Sequence, residues 1–173
     1  ASNYYSDAIF DDPSNCEYDD DYLHVPYQYA SIQNAYNAIE YLEANEQGYT
    51  ILVNPGIYNG NTLSLSQHTN NYIYPVKITS FYSTIGEEDY INSTIIQYPV
   101  NITDVAPIEF SGFTIQNTVN TQTGAINIEG SNKHLHHLKI KDNVCYANSN
   151  YNGGGGIRIH NGGNHLLEDI DIF

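Results

Sequence analysis

The chain has 173 residues, with 20 Asp+Glu against 5 Lys+Arg and a formal net charge of −15. So strong an acidic excess repels nucleic acid and other polyanions, so no nucleic-acid partner is expected unless a cation mediates. No apolar run approaches the ~18 residues of a membrane helix, so no membrane span is expected, and the length suits one domain that buries its own core. The chain opens on Ala1 and contains no Met, which reads as a removed signal segment or as a piece of a longer product.

In chain order, residues 1–27 form a Tyr- and Asp-rich segment around an acidic cluster at 11–21, with little sign of regular structure. Residues 28–173 read as one stacked unit. A helix is predicted at about 31–47: Ser31 is the N-cap, and Ile32, Ala35, Tyr36, Ile39 and Leu42 make one apolar stripe. Gly48 has the character of a C-terminal glycine. A buried strand, Tyr49 to Val53, and an Asn54-Pro55-Gly56 turn follow. Short strands are then expected at Ile57-Tyr58, Leu63 to Leu65, Val76 to Ile78, Thr94 to Ile96 and Ile108 to Phe110, with no further helical periodicity.

The second half repeats itself. Ile126 and Ile128 recur as Ile157 and Ile159, and Leu138 and Ile140 recur as Ile170 and Ile172, with Gly/Asn-rich corners between. A partial copy, Gly112-Phe113-Thr114-Ile115, precedes them. Apolar pairs of period two returning at near-constant spacing predict coils stacked ~4.8 Å apart, with the aliphatic residues aligned in inward columns. One coil buries too little to stand alone, whereas four or five suffice. On the outer face the same register sets Glu129 under His160, His136 under Glu168, His137 under Asp169 and Lys139 under Asp171. Neighbouring-strand pairs of this kind contribute roughly 0.2–1 kcal/mol each.

The runs Tyr29 to Ala35 and Gly48 to Tyr58, followed by Pro75 to Ser83, Thr94 to Gln97 and Phe110 to Asn117, resemble secreted right-handed parallel β-helix proteins of the pectin-lyase-like superfamily. Among these the chain is most similar to bacterial surface or type IX-secreted members. The resemblance covers roughly residues 29–173. It implies an all-β fold, a right-handed parallel β-helix (solenoid) with an N-terminal capping α-helix, and an extracellular or cell-surface location. Such solenoids serve as lyases, hydrolases, adhesins and structural fibres alike, so fold alone does not decide function.

Polysaccharide-active members of that fold place basic and acidic groups or Ca²⁺ on an outward strand face. The matching candidates for saccharide contact are Asn127, Arg158, His160 and Lys139, with Lys141 nearby. Neither a paired-Asp set nor an Asp-Asp-Arg set accompanies them, and the outer-face pairs above account for most of these residues structurally. His134, His136 and His137 suggest a metal, but on a regular strand 136 and 137 face opposite ways, which breaks a common site. The cluster containing Asp19, Asp20 and Asp21 offers oxygens for Ca²⁺ but lacks the spacing of a calcium loop, so a solvated acidic segment explains it equally. Cys16 and Cys145 either form a disulfide or remain two thiols. Asn92 and Asn101 head glycosylation acceptor sequences.

The leading expectation is an extracellular structural or adhesive module without catalysis. Its last rung, ending Asp169 to Phe173, would be covered by copies of itself or by further coils of the same polypeptide. The alternatives are a polysaccharide lyase or hydrolase, or its N-terminal portion, and a carbohydrate-binding module.

Overall fold

The computed structural model describes residues 22–66, 74–103, 106–120, 124–146 and 155–173. Strands dominate them: β1 (Tyr22–Val25), β2 (Tyr49–Val53), β3 (Gly56–Tyr58), β4 (Leu63–Leu65), β5 (Val76–Ser80), β6 (Thr94–Ile96), β7 (Val100–Ile102), β8 (Ile108–Gln116), β9 (Val119–Asn120), β10 (Ile126–Glu129), β11 (Lys133–Lys141), β12 (Val144–Cys145), β13 (Ile157–His160) and β14 (Leu166–Ile172). The largest sheet runs β1-β2-β5-β8-β11-β14, with β3 and β6 beside it; a second runs β13-β10-β7-β4, and β12 pairs β9. Every strand pair among the described residues is parallel. From β7 onward the chain visits the second sheet, the large sheet and the small pair in turn, so each passage lies on the one before.

The repeat register is the one expected. Ile126 pairs Ile157 and Ile128 pairs Ile159, while Leu138 pairs Ile170 and Ile140 pairs Ile172. The partial copy also falls in line, with Phe113 opposite Leu138 and Ile115 opposite Ile140. The inward residues build columns. Leu23, Ile51, Ile78, Phe110, Leu135 and Leu167 form one, and its middle four members are fully buried. Leu65, Ile102, Ile128 and Ile159 form another across the second sheet. Each fully buried aliphatic side chain contributes roughly 1.5–3 kcal/mol, so the columns supply most of the drive to stack.

The N-terminal helix is shorter than its apolar stripe suggests. α1 covers Ile32–Ala38 and tightens into a 3-10 turn, Ile39–Tyr41. Ser31 caps it, its hydroxyl accepting from Asn34 N at 3.1 Å. Leu42 is exposed, and Gly48 belongs to a later turn. Leu42 is extended at the end of the 3-10 turn, and further on Asn45 holds a separate turn: its Oδ1 accepts from Gln47 N at 3.0 Å and its Nδ2 donates to Gly48 O at 2.7 Å, a local bonding pattern that competes with helix. Ile32, Ala35, Tyr36 and Ile39 are buried in the same core as the columns. Strand β4 is an edge of the second sheet, and α1 serves its backbone. Gln33 Nε2 donates to Ser64 O at 3.0 Å, Gln33 Oε1 accepts from Ser64 N at 2.7 Å, and Tyr36 OH donates to Ser66 O at 2.9 Å. The helix thus covers an edge that would otherwise invite pairing.

Three further features depart from the sequence expectation. β1 lies inside the segment expected to be irregular and pairs with β2. Two short helices, α2 (Tyr82–Ile85) and α3 (Asp89–Ser93), interrupt the strand region between β5 and β6. Finally, β8, β11 and β14 are each bent by a left-handed residue at one level of the stack. Gly112 (φ 80), His137 (φ 51) and Asp169 (φ 48) occupy equivalent register positions. The bend shifts the inward spacing to three: Phe110 and Phe113, then Leu135 and Leu138, then Leu167 and Ile170. The corners repeat the device, pairing Asn117 with Asp142 and Asn132 with Asn164 at positive φ, residue types whose short polar side chains tolerate that region.

Candidate functional site

The outer face of the large sheet gathers the titratable groups. Between β5 and β6, residues 81–93 leave the sheet at the level of the bend and carry α2 and α3 over it. Thr114 Oγ1 donates to Ile91 O at 2.8 Å, which ties the excursion to β8. Lys139 on β11 pairs with Glu88 and donates to Asn92 Oδ1 at 2.9 Å. The Tyr82 ring rests on the His137 ring with centroids 4.6 Å apart. The result is an open cleft of about 340 Å³ lined by Tyr82, Glu88, Ile91, His137, Lys139 and Asp169, among others.

Beside the cleft, the column Lys77, Glu109, His134 crosses three neighbouring strands. Lys77 Nζ lies 2.8 Å from Glu109 Oε1, and His136 Nε2 lies 3.2 Å from the same oxygen. His134 Nε2 meets Glu168 Oε2 of β14 at 2.9 Å, and the His134 and His136 rings lie tilted against each other with centroids 4.4 Å apart. Because His137 is the bend residue, it does not turn to the opposite face from His136. The two Nδ1 atoms are 2.6 Å apart, and His137 Nε2 reaches Asp169 Oδ2 at 3.4 Å. The opposite-face expectation for 136 and 137 is therefore corrected by a single backbone φ. One ligand atom each from Glu109, His134 and His136 lies within 4.8 Å of the other two.

Electrostatics follow from these contacts. Burial holds His136 below the ordinary imidazole range, with Glu109 pulling the other way. For Glu109, burial alone would raise the carboxyl, but Lys77 and then His136 outweigh it and hold it below the ordinary range. A histidine depressed in the folded state takes its proton first in the unfolded chain. Its stability contribution is present above about pH 6.5 and is lost as pH falls from there through the lowered folded value. In chelator-containing buffer, wild-type melting temperature should fall over that window. His136→Gln should flatten part of the fall, with Glu109, His134 and His137 still in place. Superimposable wild-type and variant profiles would contradict this.

Three of the four candidate saccharide contacts lie together on one sheet and the fourth does not. Lys139 is on the large sheet, whereas Asn127, Arg158 and His160 are on β10 and β13 of the second. Asn127 is on the face opposite the Ile126/Ile128 column, as expected, but it is not free: it is buried, 7% exposed, between Asn101 and Arg158 in a column that begins at Ser64. Glu129 does pair His160 as expected. Lys141 is at the end of β11, opposite Gln116.

Of the two glycosylation acceptors, Asn92 is exposed on α3. Asn101 is half-buried in β7, and its Oδ1 is buried without a partner among the described residues. Cys145 is half-buried in β12. Cys16 and the calcium candidates Asp19, Asp20 and Asp21 lie outside the described residues, as does the rest of the acidic cluster.

Three side chains of structural weight were not singled out by the sequence. Lys133 is 1% exposed, its Nζ donating to Ala106 O at 2.6 Å and Ser131 O at 2.9 Å. Tyr58 and Tyr98 border a second depression near α1, and burial, followed by a neighbouring tyrosine, pushes each phenol up to about 12. No protein-family model matches the chain, and no curated protein or solved structure matches it.

Proposed function

We propose that the chain is a right-handed parallel β-helix of the pectin-lyase-like kind, acting outside the cell as a structural or adhesive module without catalysis. Handedness rests on a general rule: connections between parallel strands of one sheet are right-handed in about 98% of cases. The observation that carries the functional reading is how the columns end. Ile128, Leu135 and Ile140 are at most 1% exposed, yet their partners on the edge strands, Ile159, Leu167 and Ile172, are 44%, 39% and 57% exposed. An aliphatic column that reaches an open strand edge is a surface shaped for one more parallel coil. That coil comes from a second copy or from contiguous polypeptide, and both sources present the same chemistry. The burial of Asn127 and the placing of Lys139 on the other sheet favour this reading over a polysaccharide-active one.

Sedimentation velocity across a concentration series separates the sources. Supply by a second copy predicts species heavier than 19.4 kDa that dissociate in a Leu167→Lys, Ile172→Lys variant. A chain that stays monomeric with rapidly exchanging β13 and β14 amides leaves the contiguous source. Monomer with β13 and β14 amides as protected as those of β10 would mean the edge is already sealed, and would overturn the reading.

A further inference from the structure

We propose that Glu109, His134 and His136 form a binding site for a divalent transition-metal ion such as Zn²⁺ or Cu²⁺, with Glu168 positioning the His134 ring. Register brings the ligands together. Residues 134 and 136 are two apart on β11 and share its outer face, and Glu109 on β8 is the direct partner of His134. The stack therefore delivers two imidazoles and a carboxylate to one spot, using neighbouring coils rather than neighbours in sequence.

The distances suit an ion. Two ligands at ~2.1 Å from one metal lie no more than about 4.2 Å apart. The three ligand atoms are already within 4.8 Å of one another, a gap that small side-chain rotations close. The site is reachable, since His134 and Glu109 are 36% and 30% exposed while His136, at 16%, is held more firmly. Its supporting contacts resemble those that orient metal-bound histidines. Glu168 accepts at His134 Nε2, and His137 Nδ1 meets His136 Nδ1.

The donor set selects the ion. Two imidazoles with one carboxylate suit Zn²⁺, Cu²⁺ or Ni²⁺, whereas Ca²⁺ and Mg²⁺ prefer oxygen alone. The net charge of −15 raises the local concentration of any cation. Lys77 is the opposing group, its ammonium lying on Glu109 Oε1 where the ion would compete with it. A bound ion would bridge β8 and β11 and so fasten adjacent coils, with its remaining positions open to water.

The test is equilibrium dialysis of the full chain against Zn²⁺ with metal analysis, together with Cu²⁺ electron paramagnetic resonance. The wild type should retain one Zn²⁺ that depends on this site, and bound Cu²⁺ should show coupling to two imidazole nitrogens. Glu109→Gln, His134→Gln and His136→Gln should each weaken binding at least ten-fold. His134→Gln should leave coupling to one imidazole, and His160→Gln should change nothing. Lys77→Met should tighten binding about ten-fold by removing a like charge. The ligand substitutions are on a partly exposed face, and matching circular-dichroism spectra would confirm their folds. Absence of stoichiometric Zn²⁺ in the wild type, equal retention by the three ligand variants, or unchanged affinity in Lys77→Met would overturn the proposal.

Discussion

Phe110→Ala should lower the unfolding free energy by about 3–5 kcal/mol, the usual cost of removing a buried aromatic ring. Phe110 is fully buried, it is the widest member of its column, and its ring packs on Phe113 with centroids 4.7 Å apart. Truncation would leave a void between Ile78 below and Leu135 above. Neither can collapse into it without breaking register with its own strand, so little relaxation offsets the loss. For a chain of this size the melting point should drop by roughly 6–20 °C, read from thermal or urea unfolding. The matching truncation Leu167→Ala, in the same column but 39% exposed, should cost far less. Equal losses at 110 and 167 would mean that the column is not buried as described.

Gly112→Ala should be strongly damaging for so small a change, costing about 2–4 kcal/mol. Two effects add: a left-handed backbone (φ 80) disfavours any Cβ, and a Cβ there would run into Ser80 Oγ and crowd Tyr82 Cβ. Ser80 cannot retreat freely, because its hydroxyl accepts from Tyr82 N at 3.2 Å and fixes the start of the excursion. His137→Gly gives the contrast. That position has the same bend one coil later, so glycine relieves backbone strain while removing contacts to His136 and Asp169. Its net change should stay within about 1 kcal/mol. Paired unfolding curves decide the matter, and a Gly112→Ala protein as stable as wild type would remove the bend from the account.

The stacking register was legible because period-two isoleucines report directly on which face is inward, and Ile126 and Ile157 carry that signal without interruption. The bend was legible in principle. Inward apolar residues three apart at 110/113, 135/138 and 167/170 are incompatible with a regular strand, and the anomaly recurs in β8, β11 and β14. A strict period of two hides it, and with it the shared face of His136 and His137. The site required more than the sequence spacing shows, since Glu109 and His134 are 25 residues apart and meet only through coil stacking. The apolar stripe runs on to Leu42, past the end of the helix, whereas Leu42 is extended and residues 45–48 form a turn held by Asn45. α2 and α3 are too short to show helical periodicity, though the polar run Gly86 to Asp89 is longer than a coil corner needs. Lys133 resembles a surface lysine in sequence, and only the two carbonyls around its ammonium account for its burial.

Methyl-labelled isoleucine nuclear Overhauser spectra test the stacked register most directly. Cross-peaks are expected along Ile102, Ile128 and Ile159, between Ile126 and Ile157, and between Ile51 and Ile78. Missing Ile126–Ile157 and Ile128–Ile159 contacts, with those methyls instead contacting residues of an antiparallel neighbour, would contradict it.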